Sequence, residues 1–394
     1  MKLFDDIQRT YLGPAPYTES HFRYFNRSAR PDIHAMRVYL ERWFRYYPEA
    51  LKTDFRSRFR SESAKHHYGA FTEMYTYYLL KKLGWKVTPI PTQKGKNTPD
   101  FHAVKGNFEC IFECTVATEF GRGNTTYARM NVLKDAINSI DCPNFFLHME
   151  MRRYPKESPN GKGIRKWLTG KLANINPDNV GPDVIKLKEK SPYYWVWNDE
   201  NLEFAIWISP KTEEGRKKKN LRPLGSLGDG VHIDESRDVI YSALKAKTGK
   251  YGDQQMPYII VLNTIQSDID NFDISDALFG TAQLTFSTNG TTRDTRAPDG
   301  IWFGPKGAHN TKVSGVLILP DIEPWTIAKR DTVLWFNPWS KYEFDTNKWG
   351  GTMQIPNNKI HRIELKNGKP AHKIFGIDKD WPTNLWNWTE YHSV

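Results

Sequence analysis

The chain has 394 residues, enough for one large domain or about two to three ordinary ones, and its 39% hydrophobic and 26% charged residues exclude an extensively disordered chain. Lys and Arg number 56 against 45 Asp and Glu, a formal charge of +11 that favours polyanions, of which nucleic acid is the commonest inside a cell. No apolar run approaches the ~20 residues of a membrane helix, and the acids of "MKLFDDIQRTYLGPAP" stand where a signal peptide needs an apolar centre, so a cytoplasmic protein without a membrane partner is expected.

In chain order, "PDIHAMRVYLERWFRYYP" (31–48) places Ile33, Met36, Tyr39, Leu40, Trp43 and Tyr47 at helical spacing between two prolines. An arginine-aromatic stretch, 55–60, precedes Ser61 and Ser63, either of which suits a helix N-cap. The spacing predicts a helix over about 66–83, stopped by Gly84. There the period switches to that of strands: "WKVTPIP", "TPDFHAV" and "FECIFECTV", the last two joined by the short turn "KGN". A helix is predicted over 124–140 and a further strand over 144–151. Residues 153–235 are richer in Pro, Gly and Lys, with strand-like "YYWVWN" and "LEFAIWIS". Beyond them, "SRDVIYSALKAKTGKYG" reads as helical and "PYIIVLN" as a strand covered on both faces, followed by strands "VSGVLILP" and "TVLWFNP". The order supports an α/β protein in four segments: an N-terminal helical segment 1–60, a core 61–152, a basic, loop-rich insertion with strands 153–235, and an α+β extension 236–394 packed on the core.

The strand "FECIFECTV" carries the chemistry. Side chains alternate along a strand, so Phe108, Cys110, Phe112, Cys114 and Val116 form one apolar face, while Glu109, Ile111, Glu113 and Thr115 form the other. Asp100, behind Pro99, opens the neighbouring strand and can lie beside Glu113. Two adjacent carboxylates repel unless a cation lies between them, and Mg2+, which prefers oxygen ligands and bridges to phosphate, is the expected occupant, with Mn2+ as a substitute. Glu73 is a third acid, set in the apolar helix "GAFTEMYTYYLL", where an unpartnered carboxylate is costly. Taken singly, Asp100 is also an ordinary turn residue and Glu113 an ordinary solvent-face acid; their joint occurrence with Glu73 is what the ordinary reading explains poorly. Cys110 and Cys114 read as core residues, and three cysteines in all make neither a disulfide framework nor a zinc site.

Glu73, Pro99-Asp100 and Glu113-x-Thr115 together resemble the PD-(D/E)xK, or restriction-endonuclease-like, nuclease superfamily, in a divergent ExT form. The resemblance covers residues 61–152 and implies a core of helix, three strands, helix and strand around a central mixed sheet. It implies that Asp100 and Glu113 ligate the metal, with Glu73 as a third ligand or water-holder. The family's lysine is replaced by Thr115, which keeps a hydroxyl and loses the cation. Some members carry that cation on the second core helix, where Lys134 and Arg129 are candidates and Lys134 is preferred.

The resemblance further implies a Mg2+-dependent endodeoxyribonuclease in restriction or another anti-foreign-DNA defence, acting on DNA rather than RNA, alone, as a homodimer or with a defence-system partner protein. A nuclease-derived binding module without turnover, and a structural subunit for an acidic protein partner, are the alternatives. The basic loop Arg216, Lys217, Lys218, Lys219 and Arg222 could track phosphates or simply be a solvated connection, and the same holds for Arg56, Arg58 and Arg60. Trp381, Trp386 and Trp388 could stack bases or clamp the C-terminal segment to the body.

Overall fold

The computed structural model describes residues 1–91, 98–118, 124–181, 188–218, 221–229, 236–265, 269–286, 292–357 and 362–382. Four helices open the chain, α1 (His21–Arg27), α2 (Pro31–Arg45), α3 (Glu49–Phe59) and α4 (Ala64–Lys82), followed by β1 (Lys86–Pro89), β2 (Phe101–Lys105) and β3 (Phe108–Thr118). Next come α5 (Asn124–Asn138), β4 (Phe145–Arg153), α6 (Gly161–Leu172), β5 (Tyr194–Asn198), β6 (Glu203–Pro210), α7 (Glu213–Lys217) and β7 (Leu224–Asp229). The last part holds α8 (Ser236–Thr248), β8 (Tyr258–Ile265), α9 (Asn271–Phe279), β9 (Ala282–Phe286), β10 (Thr292–Arg296), β11 (Phe303–Gly304) and β12 (Gly307–Ala308). It ends with β13 (Gly315–Pro320), β14 (Val333–Phe336), β15 (Thr352–Asn357), β16 (Arg362–Lys366) and α10 (Ala371–Phe375).

The chain divides into two compact units. The first comprises Met1–Asp6, Ala35–Glu119 and Asp234–Thr383, and the second Ile7–His34, Phe120–Ile233 and Asn384–Val394. The first unit is built on an eight-stranded mixed sheet in the order β1-β2-β3-β8-β13-β14-β15-β16. β1, β2 and β3 form an antiparallel meander, and β8 and β13 then continue parallel to β3. Glycines shape the entry to this meander: Gly84 (φ +86°) ends α4 and Gly106 (φ +65°) makes the tight β2–β3 turn, backbone conformations that cost a side-chain-bearing residue.

Register tells which face each side chain takes. Glu113 pairs with Ile260 and Thr115 with Leu262, while Ile111, Ile260 and Leu262 pack with Ile240 and Leu244 of α8 in one core cluster. The alternate residues face α4, where Asn263 of β8 donates to the Thr72 hydroxyl at 3.0 Å. Both faces are therefore covered, and all eight residues of β8 are buried, as its apolar run predicts. α4 is also enclosed: Tyr68, Phe71, Met74, Tyr75, Leu79 and Leu80 are all fully or almost fully buried. Each such large side chain contributes roughly 1.5–3 kcal/mol of transfer free energy.

The strand expected to complete the core beside β3 is elsewhere. β4 pairs antiparallel with β6 and parallel with β7 in the four-stranded sheet β5-β6-β4-β7 of the second unit, whose core joins α5 and α6 residues Leu133, Ile137, Ile164 and Leu168 to Leu147, Phe204 and Ile206. The position next to β3 belongs to β8, preceded by α8. β8 meets the need of a buried parallel neighbour for apolar side chains on both faces, while β4, also largely buried, packs its apolar side chains in the core with α5 and α6. β13 to β16, within the segment expected as an extension, complete the same sheet.

A buried polar network ties α4 to this sheet. Asn263 accepts from the Ile322 N–H at 3.0 Å and donates to the Ile322 carbonyl at 2.8 Å. The next residue, Glu323, is buried and accepts from the Tyr68 hydroxyl of α4 at 2.9 Å. Burial, reinforced by the charge of Asp321, pushes the Glu323 carboxyl up to about 8. The folded chain therefore keeps a proton on Glu323 that the unfolded chain releases above its ordinary value of 4.5, so this group's contribution falls as pH rises from about 4.5 to 8. Glu323→Gln retains an acceptor for Tyr68 and removes the titration. Its melting temperature should exceed the native one by about 2–4 °C at pH 8.5 and converge with it near pH 4.5. Parallel melting curves across that range would refute this assignment.

Candidate active site

Asp100, Glu113 and Glu73 all belong to the first unit. β2 and β3 pair with Phe101 opposite Phe112, and continuing that register by one residue sets Asp100 opposite Glu113. The Cys114 N–H donates to Asp100 Oδ2 at 2.6 Å, which holds the carboxylate against the strand. Two residues before it, the Thr98 carbonyl accepts from the Tyr251 hydroxyl at 3.0 Å, tying this turn to the segment after α8.

Glu113 is only 1% exposed. Its Oε1 accepts from Lys247 Nζ at 2.5 Å and Lys250 Nζ at 3.1 Å, while the buried Oε2 has no hydrogen-bond partner among the described residues. Burial alone lowers the affinity of Lys247 for its proton, but the charge and hydrogen bond of Glu113 outweigh it and hold the ammonium above its usual range. Glu73 is half-buried, and both its oxygens are taken by Arg58 of α3, at 2.7 and 2.6 Å, with Asp54 on the same guanidinium at 2.7 Å.

Electrostatics show that the three acids feel one another. Burial, then the charges of Glu73 and Glu113, push the Asp100 carboxyl well above the usual range against the Cys114 N–H and Lys247. Burial also raises Glu73; Arg58 opposes this, and the charge of Glu113 adds to it. The phenol of Tyr47, buried and with its hydroxyl unpartnered among the described residues, is raised by burial and then by Glu73, Cys114 and Asp100.

The donor set fits a hard divalent cation in part. Asp100 and the unpartnered Oε2 of Glu113 are oxygen donors on adjacent strands, as such an ion requires. Glu73 does not fit in the same way, because both its oxygens are committed to Arg58. Among the described residues no group of three or more His, Cys, Asp or Glu side chains is arranged to hold a metal ion. Thr115, half-buried, lies two residues along on the same strand face as Glu113, with no charge to offer.

The remaining candidates have local roles. Lys134 belongs to the second unit, where its ammonium lies 5.1 Å from the ring of Tyr17 and 5.5 Å from that of Tyr127. Arg129, in the same unit, reaches the Pro155 carbonyl at 3.4 Å. Arg216 is paired with Asp178 at 2.8 Å, Lys217 with Glu213 at 3.3 Å, and Arg222 lies over Tyr17 and donates to the Ala15 carbonyl. Lys218 is exposed, and Lys219 lies outside the described residues. Trp381 packs on Tyr39 at 4.9 Å between ring centroids, whereas Trp386 and Trp388 lie outside the described residues. Neither Lys247 nor Lys250 is evident without the strand order; their signal is the Lys-rich end "KAKTGKYG" of the helix that leads into the most apolar strand.

Compared with family models, curated proteins and solved structures, the chain matches none. Among the described residues no helix is long and apolar enough to cross a membrane.

The pairing of Glu73 makes a stability prediction. Arg58→Ala leaves a largely desolvated carboxylate without its cation and should cost about 2 kcal/mol by denaturant unfolding. Arg58→Met combined with Glu73→Met should recover most of that loss. A double variant as unstable as Arg58→Ala would show that the pair is not what links α3 to α4.

Proposed function

We propose that this protein is a divalent-metal-dependent endonuclease of DNA, built on a restriction-endonuclease-like arrangement of α4, β1–β3, α8 and β8. The observation that carries the reading is the meeting of Asp100, Glu113 and Lys247. Two carboxylates on adjacent antiparallel strands face a lysine from the helix that leads into the next, parallel strand. That lysine takes the part of the cation missing at Thr115, so Lys247 replaces Lys134 in the assignment.

In this reading Asp100 and Glu113 hold Mg2+ or Mn2+, which when bound supplies Lewis acidity at the phosphodiester and a lower pKa for the attacking water. Lys247 places a positive charge where negative charge develops on the phosphoryl oxygens. Its anchoring to Glu113 keeps that charge in place without reorganisation. The Thr115 hydroxyl, next along the face, can orient water. Arg58 grips both oxygens of Glu73 and fixes that carboxyl in place. The lack of a Gln-x-x-x-Tyr pattern after Thr115 favours internal cutting, and defence against foreign DNA is the setting we adopt.

A second reading has its own support. Every acid of the cluster already has a basic or N–H partner, so the module could bind nucleic acid without turnover.

Incubation of plasmid DNA with the protein and Mg2+, Mn2+ or chelator separates the two. The nuclease reading expects cleavage with either ion and none with chelator. Asp100→Ala and Glu113→Ala should each lower the rate at least about a hundredfold, since even outer-sphere partners cost about 10–100-fold. Lys247→Ala should lower kcat by roughly 100-fold or more and cost far more than Lys134→Ala. Binding without cleavage under every condition supports the second reading, and a larger loss in Lys134→Ala returns the cation to α5.

A further inference from the structure

Glu113 has one lysine more than its charge requires. Lys247 and Lys250 donate to the same oxygen, Oε1, and one carboxylate neutralises one ammonium. The two are not equivalent. Lys247, in the last turn of α8, makes the shorter contact, at 2.5 Å, and its side chain is 19% exposed. Lys250, in the turn beyond the helix, is 0.6 Å further away (3.1 against 2.5 Å) and 31% exposed.

Where it meets Glu113, Lys250 also lies against an aromatic ring. Its ammonium lies 5.0 Å from the centre of the Tyr251 ring, a cation–π distance. Tyr251 is itself fixed by its hydroxyl on the Thr98 carbonyl, which sets the aromatic neighbour of Lys250 beside the Asp100 turn. A lysine tip is a compact charge on a flexible stem with three donors, suited to following a phosphate as it arrives.

We propose that Lys250 is a substrate-positioning residue that leaves Glu113 Oε1 for a non-bridging oxygen of the DNA backbone, while Lys247 stays on Glu113. The inference rests on the nuclease reading for its setting, but the contact itself is an ordinary ammonium–phosphate ion pair and is measurable without turnover. On this account Glu113 stores a phosphate-binding charge in the free protein. Exchange of partners costs little, because Lys247 continues to neutralise the buried carboxylate.

The test uses the full chain and its Lys250→Gln and Lys250→Arg variants. In chelator, binding of each to a short DNA duplex is measured across a salt series. Lys250→Gln should weaken binding about tenfold and reduce the salt slope by about one, as expected for one lost phosphate contact. Lys250→Arg should restore both. In Mg2+, Lys250→Gln should raise KM by a similar factor and leave kcat largely intact, whereas Lys247→Gln should lower kcat. An unchanged salt slope for Lys250→Gln overturns the proposal, whether or not DNA is cut. Loss of kcat at unchanged KM also overturns it, since Lys250 would then act in turnover. Native protein that binds with a Lys250-dependent slope yet never cleaves DNA sustains this contact and sinks the nuclease reading alone.

Discussion

A buried carboxylate in the middle of a strand is the constraint around which the first unit is arranged. Glu113 is covered by α8 on a face otherwise lined by Ile111, Ile260 and Leu262. An unpaired charge there would cost several kcal/mol; Lys247, in the last turn of α8, answers it, and Lys250 beyond the helix reaches the same oxygen. An apolar residue of similar size would serve stability as well or better. The glutamate is therefore a position where stability alone does not favour a charge. Asp100 is under the same tension: its carboxyl is pushed up by burial and by its acidic neighbours, and only an N–H and the field of Lys247 oppose them.

The path of the chain explains how the acids and the lysine meet although they lie far apart in sequence. β3 carries Glu113 into the sheet, the chain then leaves for the second unit, and it returns as α8 and β8 to cover and pair with β3. Residues 120–233 thus fall between two elements that are neighbours in space, and they form a sheet and core of their own with α5 and α6. Within the second sheet β4 and β6 are largely buried and β5 is more open than either. All of β8 is buried, whereas β5 keeps exposed and half-buried positions.

Local structure was legible in the sequence because it depends on local signals. α4 runs 64–82 against an expected 66–83, α5 runs 124–138 against 124–140, and the Gly84 and Gly106 turns fall where read. α3 was missed; the stretch 55–60 reads as a basic arm by composition, but Pro48 and Glu49 start a helix whose Phe55 and Phe59 are buried. Strand partnership was not legible. The pattern of β4 satisfies the need for a fourth strand, and nothing within it says that β6 and β7 are its neighbours. The helix that precedes the strand next to β3 is α8, whereas α5 precedes β4 in the second unit. For the site, the acid pair was readable from its spacing. The cations that answer it were not, because Arg58 and Lys247 reach their acids only through tertiary packing.

The proposed function requires Asp100 and Glu113 to bind one divalent ion jointly. Anomalous scattering from crystals grown with Mn2+ tests it most directly. The account predicts one strong peak between Asp100 and Glu113 Oε2, with Lys247 still on Oε1. Well-ordered crystals at saturating Mn2+ that show no peak there, with Glu113 unmoved on both lysines, would contradict it.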